Sequence, residues 1–339
     1  MGGYMGKIAC VDLSTGAVKV EELLEQVQRA YIGGATLAAH IMGRFRFAEI
    51  DPLGPENVLI FAVGPLTGAN VPTSGRYAVA AKSPATGIWG EADSGGRFGI
   101  AAGTPPLQFG NGETVLSLIR QIAEGDGIGA MLRHGVSYAA RQLGPDAEKF
   151  ALHVKLLEPP YHDPRAIASL AVAYATANRG ACHRGCTHTL ERSPMPGLGY
   201  DKPLDRLSHE GKGKAAAIAQ NYAELSNSLK FCSISMSALD MPILVTWTRC
   251  VTGWDIDAAE LLKAGERSFN LKRMLNVSCG ITRRDDTLPY RFTHEPFQSG
   301  ASAGHLPDLP KMLDEYYEFR GWDNNGVPTK AKLAELGLA

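Results

Sequence analysis

The stretch from Gly64 to Gly99 constrains this chain more than any other. It holds eight glycines, interleaved with Arg76, Lys82 and Arg97. Its segments read Gly64-Pro65-Leu66-Thr67-Gly68, Ser74-Gly75-Arg76-Tyr77, Lys82-Ser83-Pro84 and Asp93-Ser94-Gly95-Gly96-Arg97-Phe98-Gly99. Glycine admits positive φ and lets a ligand approach the main chain closely. Guanidinium and ammonium groups in the same loops offer charge-assisted hydrogen bonds to anionic oxygens. The physical reading is a cradle for a phosphorylated cofactor. A small β-domain with glycine-rich turns has the same composition, and composition alone does not separate the two.

Bulk properties narrow the field. A chain of 339 residues allows about two domains, and 45% hydrophobic residues supply ample core. With 34 basic and 35 acidic residues the net charge is −1, so no global field draws the chain to nucleic acid or an anionic membrane. No apolar run reaches the ~18 residues of a membrane-crossing helix. Met1-Gly2-Gly3-Tyr4-Met5-Gly6-Lys7 lacks the basic-then-apolar layout of a secretory signal, and a cytoplasmic protein is expected. Six scattered cysteines (Cys10, Cys182, Cys186, Cys232, Cys250, Cys279) make no disulfide framework. In a reducing compartment such cysteines are buried or bind metal.

Residues 7–20 read as two short strands around the Ser14-Thr15-Gly16 turn. Residues 21–31 read as a helix stopped by Gly33-Gly34. Residues 58–63 and 77–81 are strand-like, each opening into a glycine-rich loop. Near Thr104-Pro105-Pro106 the pattern turns helical, with Val115, Leu118, Ile119 and Ile122 on one face. Further helices are predicted over 130–143, 166–177, 214–229, 242–251, 258–275 and 308–319. Asp257 to Glu260 has capping-box spacing with an acidic cap. The expected fold class is α+β, a β-rich cofactor-binding unit over 1–104 followed by a mostly α-helical unit over 105–339.

In this order and spacing, the glycine-rich segments resemble the N-terminal pterin-binding region of the aldehyde ferredoxin oxidoreductase family of tungsten enzymes. The start agrees: Gly6-Lys7-Ile8, Val11-Asp12-Leu13-Ser14-Thr15-Gly16, Tyr31-Ile32-Gly33-Gly34 and Asp51-Pro52-Leu53-Gly54-Pro55-Glu56-Asn57. The second half also looks like the family's helical region, through Leu157-Glu158-Pro159-Pro160, Asp163-Pro164-Arg165, Tyr174-Ala175-Thr176-Ala177-Asn178-Arg179-Gly180-Ala181-Cys182-His183, Gly253-Trp254-Asp255 and Asp285-Asp286-Thr287-Leu288-Pro289.

The resemblance implies oxidation of a small aldehyde to a carboxylate at a tungsten (or molybdenum) bis-pterin centre. Electrons would pass through a 4Fe-4S cluster to ferredoxin. His183 falls on the family's active-site histidine, suited to general acid work by an imidazole. Arg76, Lys82, Asp93, Ser94, Gly95, Gly96, Arg179 and Asn227 would bind cofactor. The main-chain carbonyl of Asp93 would face a Mg2+ ion between the pterin phosphates, a hard-oxygen site. Cys232 would be one cluster ligand.

The sequence also departs from the family. A cubane cluster takes four thiolates, and this chain has no CxxCxxxC run; a short joint stands between Phe98-Gly99 and Pro105-Pro106 where the family carries a long middle segment. In the loop Asn227-Ser228-Leu229-Lys230-Phe231-Cys232, Asn227 replaces an aspartate, Lys230 a glycine and Phe231 a leucine. Other readings are therefore open: a non-catalytic remnant, or half of a split enzyme completed by another chain. A third is a zinc protein using Cys182, Cys186 and His188, with His183 close by. A β-unit without its second half exposes an edge, so a homo-oligomer or a complementing chain is expected.

Overall fold

The computed structural model describes residues 3–67, 77–94, 112–160, 162–185, 188–237 and 239–339. Lys7–Val11 (β1) and Val18–Glu22 (β2) pair antiparallel, Val11 opposite Val18. Asp12 makes the turn, its Oδ1 accepting from the Ser14 and Thr15 amides at 2.8 and 3.2 Å. Two helices follow, Glu25–Tyr31 (α1) and Gly34–Met42 (α2). Ile60–Ala62 (β3), Tyr77–Lys82 (β4) and Trp89–Ser94 (β5) then form an antiparallel sheet in that order. Strand alternation sends Ile60, Ala62, Ala78 and Ala80 inward. There Ile60, Ala62 and Ala80 meet Ala38, Ala39 and Met42 of α2, with Phe47, Ile50, Trp89 and Leu275 completing the cluster.

The rest is helical: Gly112–Glu124 (α3), Gly129–Leu132 (α4), Val136–Leu143 (α5), Pro145–Glu148 (α6), Ala168–Thr176 (α7) and Lys212–Leu229 (α8). Met241–Thr252 (α9), Ala258–Ser278 (α10), Tyr290–His294 (α11), Leu309–Arg320 (α12) and Lys330–Leu336 (α13) complete it. The chain is α+β.

Helix α8 is the hub, packed against α2, α7, α10 and α12. Its alanines, Ala215, Ala216, Ala217, Ala219 and Ala223, are buried and leave room for neighbours on all sides. Of its other buried positions Tyr222, Leu225 and Leu229 join the core, and Lys212, Gln220, Asn221, Glu224, Ser226, Asn227 and Ser228 are polar. Buried polar groups require partners, and these draw the surrounding elements in. Thr36 Oγ1 of α2 meets Ser228 Oγ and donates to Ser268 Oγ of α10 at 2.9 Å. Arg320 of α12, fully buried, donates to Asn221 Oδ1, Ala217 O and Gln220 Oε1.

Gly64 corrects one part of the cradle reading. A Cβ there would lie 2.5 Å from Leu229 O and 2.6 Å from Ser228 O. The missing side chain makes room for the end of α8 rather than for a ligand. Other differences are local. The helix predicted over 130–143 breaks at Gly135, whose φ of 88° starts α5 afresh. Helix α2 begins at the glycine pair expected only to stop α1, and β5 has no strand-like apolar run. Asp257 does cap α10, its Oδ1 accepting from Glu260 N at 2.8 Å.

Candidate functional site

Strand β5 ends in Asp93 and Ser94, opposite Ala78 and Tyr77 of β4. Glu91 lies on the inward face and enters a buried set of charges. Its Oε2 is 2.6 Å from Lys272 Nζ of α10 and accepts from Trp89 Nε1 at 3.0 Å. Lys272 Nζ also donates to both oxygens of Glu224 of α8, at 3.0 and 2.9 Å. Ser268 Oγ adds a donor to Glu224 Oε2 at 2.7 Å. Burial opposes charge on Glu91, but Lys272 and then Arg179 outweigh it and hold its pKa down to about 2. Burial likewise opposes charge on Lys272, and Glu224 and Glu91 overcome it to raise that group's pKa.

Arg179 joins this set to the loop after α7. Its NH1 donates to the main-chain oxygen of Glu91 at 2.7 Å and lies 4.0 Å from the Glu91 carboxylate. Its Nε and NH2 lie 3.2 and 2.9 Å from Cys182 Sγ. A second clamp is Asn276 of α10: its Oδ1 accepts from Trp89 N at 3.0 Å and its Nδ2 donates to Asn178 O at 2.5 Å. Strand β5 and the Asn178–His183 loop are thus fastened side by side. Gly180 permits the loop's path: its φ is +90°, and a Cβ there would fall 2.5 Å from Leu157 Cβ.

His183 opens a short 3-10 turn, His183–Gly185, packed against α7 and α8. Its ring meets His162 edge-on, centroids 4.7 Å apart. Asn178 Oδ1 is buried with no hydrogen-bond partner among the described residues. Asn227, in the last turn of α8, is 7% exposed, and its side-chain amide pairs with no described residue. Lys230 caps α8 in the left-handed region at φ 61°. The lysine thus keeps a backbone conformation that glycine would adopt more readily.

Two expectations change on inspection. Lys82, expected at a phosphate, is 6% exposed, and its ammonium donates to Ala48 O and Ile50 O at 2.9 Å each. It staples the turn around Phe47 inside the N-terminal unit. Cys232 is half-buried, and no group of three or more His, Cys, Asp or Glu able to hold a metal occurs among the described residues. A four-thiolate cluster does not fit these residues. A pterin-held metal asks the protein for hydrogen bonds rather than metal ligands, and the unpartnered Oδ1 of Asn178, whose Nδ2 donates to Phe269 O at 3.2 Å, and the side-chain amide of Asn227 fit that demand.

Arg76, Gly95, Gly96 and Cys186 lie outside the described residues, and of Asp93 and Ser94 only the strand positions are described. Sequence reasoning missed Glu91, Glu224, Lys272 and Asn276. The signal was there: Gln220, Glu224, Asn227 and Ser228 recur at helical spacing in an alanine-rich helix whose apolar stripe is Ile218, Tyr222, Leu225 and Leu229.

Comparison with known proteins sets this site in context. Residues 8–104 match the sequence model of the aldehyde ferredoxin oxidoreductase N-terminal domain, and residues 77–338 that of domains 2 and 3. The tungsten-containing aldehyde ferredoxin oxidoreductase of Pyrococcus furiosus is 35% identical over 237 residues, 69% of this chain and 38% of the relative. That of Thermococcus kodakarensis is 34% identical over 238 residues, again 69% and 38%. An aliphatic sulfonate oxidoreductase, WOR-like subunit, from P. furiosus is 27% identical over 247 residues, 68% and 36%. These matches span under two fifths of the relatives' own length. Among solved structures, the active site complex BamBC of benzoyl coenzyme A reductase with 1,5-dienoyl-CoA matches with a TM-score of 0.78. It is 14% identical and covers 99% of this chain and 97% of that one, a likeness of fold.

Proposed function

The chain belongs to the aldehyde ferredoxin oxidoreductase family, and we propose that it works as an oxidoreductase that converts a small aldehyde to a carboxylate. Tungsten or molybdenum held by two pterins would supply the redox chemistry; overall the aldehyde and one water would give the carboxylate, three protons and two electrons, the electrons passing to ferredoxin. The observation that carries this reading is the Arg179 contact to Glu91 O at 2.7 Å. It holds the strand leading to Asp93 and Ser94 beside the turn that carries His183.

In this reading Arg76, Asp93, Ser94, Gly95 and Gly96 bind the phosphate side of the cofactor, with Mg2+ at the Asp93 carbonyl. Asn227 hydrogen-bonds the pterin. Arg179 positions the histidine loop, and His183 holds or moves a proton at the substrate oxygen. The test is aldehyde-dependent reduction of a viologen dye by protein purified without oxygen from tungstate-supplied cells. Replacing His183 with Asn is expected to lower the rate by roughly 10²–10⁴-fold, the usual worth of a positioned acid–base group, with pterin content unchanged. Equal rates in the two proteins would remove His183 from the reaction.

A second reading concerns the cluster. Because no metal-binding group of three or more side chains surrounds Cys232 among the described residues, a complementing chain would bring the missing thiolates. Iron that appears in the protein only when a second polypeptide co-purifies would support it. Four irons per chain in the isolated protein would contradict it.

A further inference from the structure

Two imidazoles meet where the chain enters helices α7, α8 and α12. His209 precedes α8 and His305 precedes α12; their Nε2 atoms are 3.2 Å apart and their ring centroids 5.2 Å. His305 Nδ1 donates to the main-chain oxygen of Arg165, ahead of α7, at 2.7 Å. A neutral imidazole that donates through Nδ1 carries a lone pair on Nε2. That lone pair faces Leu207 O at 2.9 Å as well as His209 Nε2. A hydrogen on His209 Nε2 would satisfy His305 but leave Leu207 O against the same lone pair. A cation beside His305 Nε2 satisfies all three groups. Arg206 holds the two loops in place around this point. Its NH1 donates to Ala166 O and Ser302 Oγ, each at 2.8 Å, and its NH2 to Ala301 O at 2.7 Å.

We propose that His209 Nε2, His305 Nε2 and the Leu207 carbonyl bind a divalent transition cation of the zinc class, with water completing its shell. Two nitrogens bound tetrahedrally at the usual Zn–N length of about 2.0–2.1 Å lie roughly 3.3 Å apart, close to the 3.2 Å found here. A ligating histidine ordinarily donates its other ring nitrogen to a carbonyl or carboxylate, which fixes the tautomer; His305 does so to Arg165 O. Imidazole favours zinc, nickel and copper, whereas magnesium and calcium take oxygen ligands. Two side chains are half the ligand set of a closed structural site, so a dissociation constant on the order of 1–100 µM is expected. The ion would tie the entry of α8 to that of α12, and through the Arg165 carbonyl to that of α7. Helix α8 packs against both α7 and α12, so the site fastens one end of the helical core. This inference does not depend on the proposed redox function.

Calorimetric titration of the full chain with Zn2+, after dialysis against a chelator, tests it. Exposed thiols such as Cys10 and Cys250 also take zinc, so the reading is the difference between two proteins. His209→Ala is expected to bind one zinc ion fewer than the unmodified chain, and excess Mg2+ or Ca2+ not to compete for that ion. Zinc is expected to raise the urea midpoint of the unmodified chain and not that of the variant, because a ligand stabilises only the state that binds it. The Arg206 contacts remain in His209→Ala, so the variant is expected to keep its fold by circular dichroism. Zinc-edge X-ray absorption of the unmodified chain needs no variant. Imidazole nitrogen at about 2.0–2.1 Å is expected in its zinc shell, against about 2.3 Å for thiolate sulfur. Equal zinc uptake and affinity in the two proteins would overturn the proposal and leave a proton between the rings. A shell of sulfur alone would overturn it equally.

Discussion

The Arg179 guanidinium donates to the main-chain oxygen of Glu91 at 2.7 Å while two of its other nitrogens contact Cys182 Sγ. One side chain thereby spans the end of β5 and the loop that leads to His183. Replacing Arg179 with Met leaves Glu91 paired with Lys272 but frees the loop. The fold is expected to survive by circular dichroism. Aldehyde-dependent dye reduction is expected to fall about 10²-fold, the usual effect of displacing a reacting group by an ångström. Full activity would mean the loop is held by Asn276 alone.

Lys272 lies between two buried carboxylates, Glu91 and Glu224. Lys272→Met would leave both without their shared cation, and removal of one partner of a buried ion pair costs about 3–5 kcal/mol. Urea unfolding should show that loss. A triple replacement of Lys272, Glu91 and Glu224 by uncharged residues of similar volume should recover part of it.

Acid should destabilise the protein through the same group. The folded pKa of Glu91 is about 2, below the ordinary glutamate value of 4.5. Its stabilisation is therefore complete above pH 4.5 and is lost as the pH falls towards 2, roughly 3 kcal/mol in all. Asp286, where burial is outweighed by Lys155 and Arg273, shifts in the same direction. Lys272 is shifted upward, so its share is lost only in alkali and does not enter the acid limb. Urea midpoints between pH 2 and 6 should fall less steeply for Glu91→Gln than for the unmodified chain.

Gly64→Ala tests the docking of the N-terminal unit on α8. The new methyl would meet the main-chain oxygens of Ser228 and Leu229, at 2.6 and 2.5 Å. Main chain yields less readily than a side chain, and a loss of about 1–3 kcal/mol is expected. An unchanged urea midpoint would show that the loop moves freely away from the helix.

Much of the fold was legible because hydrophobic periodicity and turn residues reported it directly. The hairpin around Asp12, the cap at Asp257 and helix α8 all follow from local chemistry. Helix α2 was not legible: Ala35, Ala38, Ala39 and Met42 are buried together with Thr36, so no polar stripe marks a helix after the glycine pair. In the site, motif order pointed to the Asn178–His183 loop. It could not report the ion set around Lys272, because Glu91 lies 133 positions before Glu224 and Lys272 another 48 beyond, and the three meet only in the folded chain. Lys82 misled because a basic residue beside glycines suits a phosphate and a main-chain staple equally well.

The most direct test of the central claim is elemental analysis for tungsten, molybdenum and iron, with pterin content, on protein purified without oxygen from tungstate-supplied cells. The account predicts about one tungsten or molybdenum per chain, with pterin, and iron below the amount for a full cluster unless another chain accompanies it. Protein that carries neither metal nor pterin would contradict it.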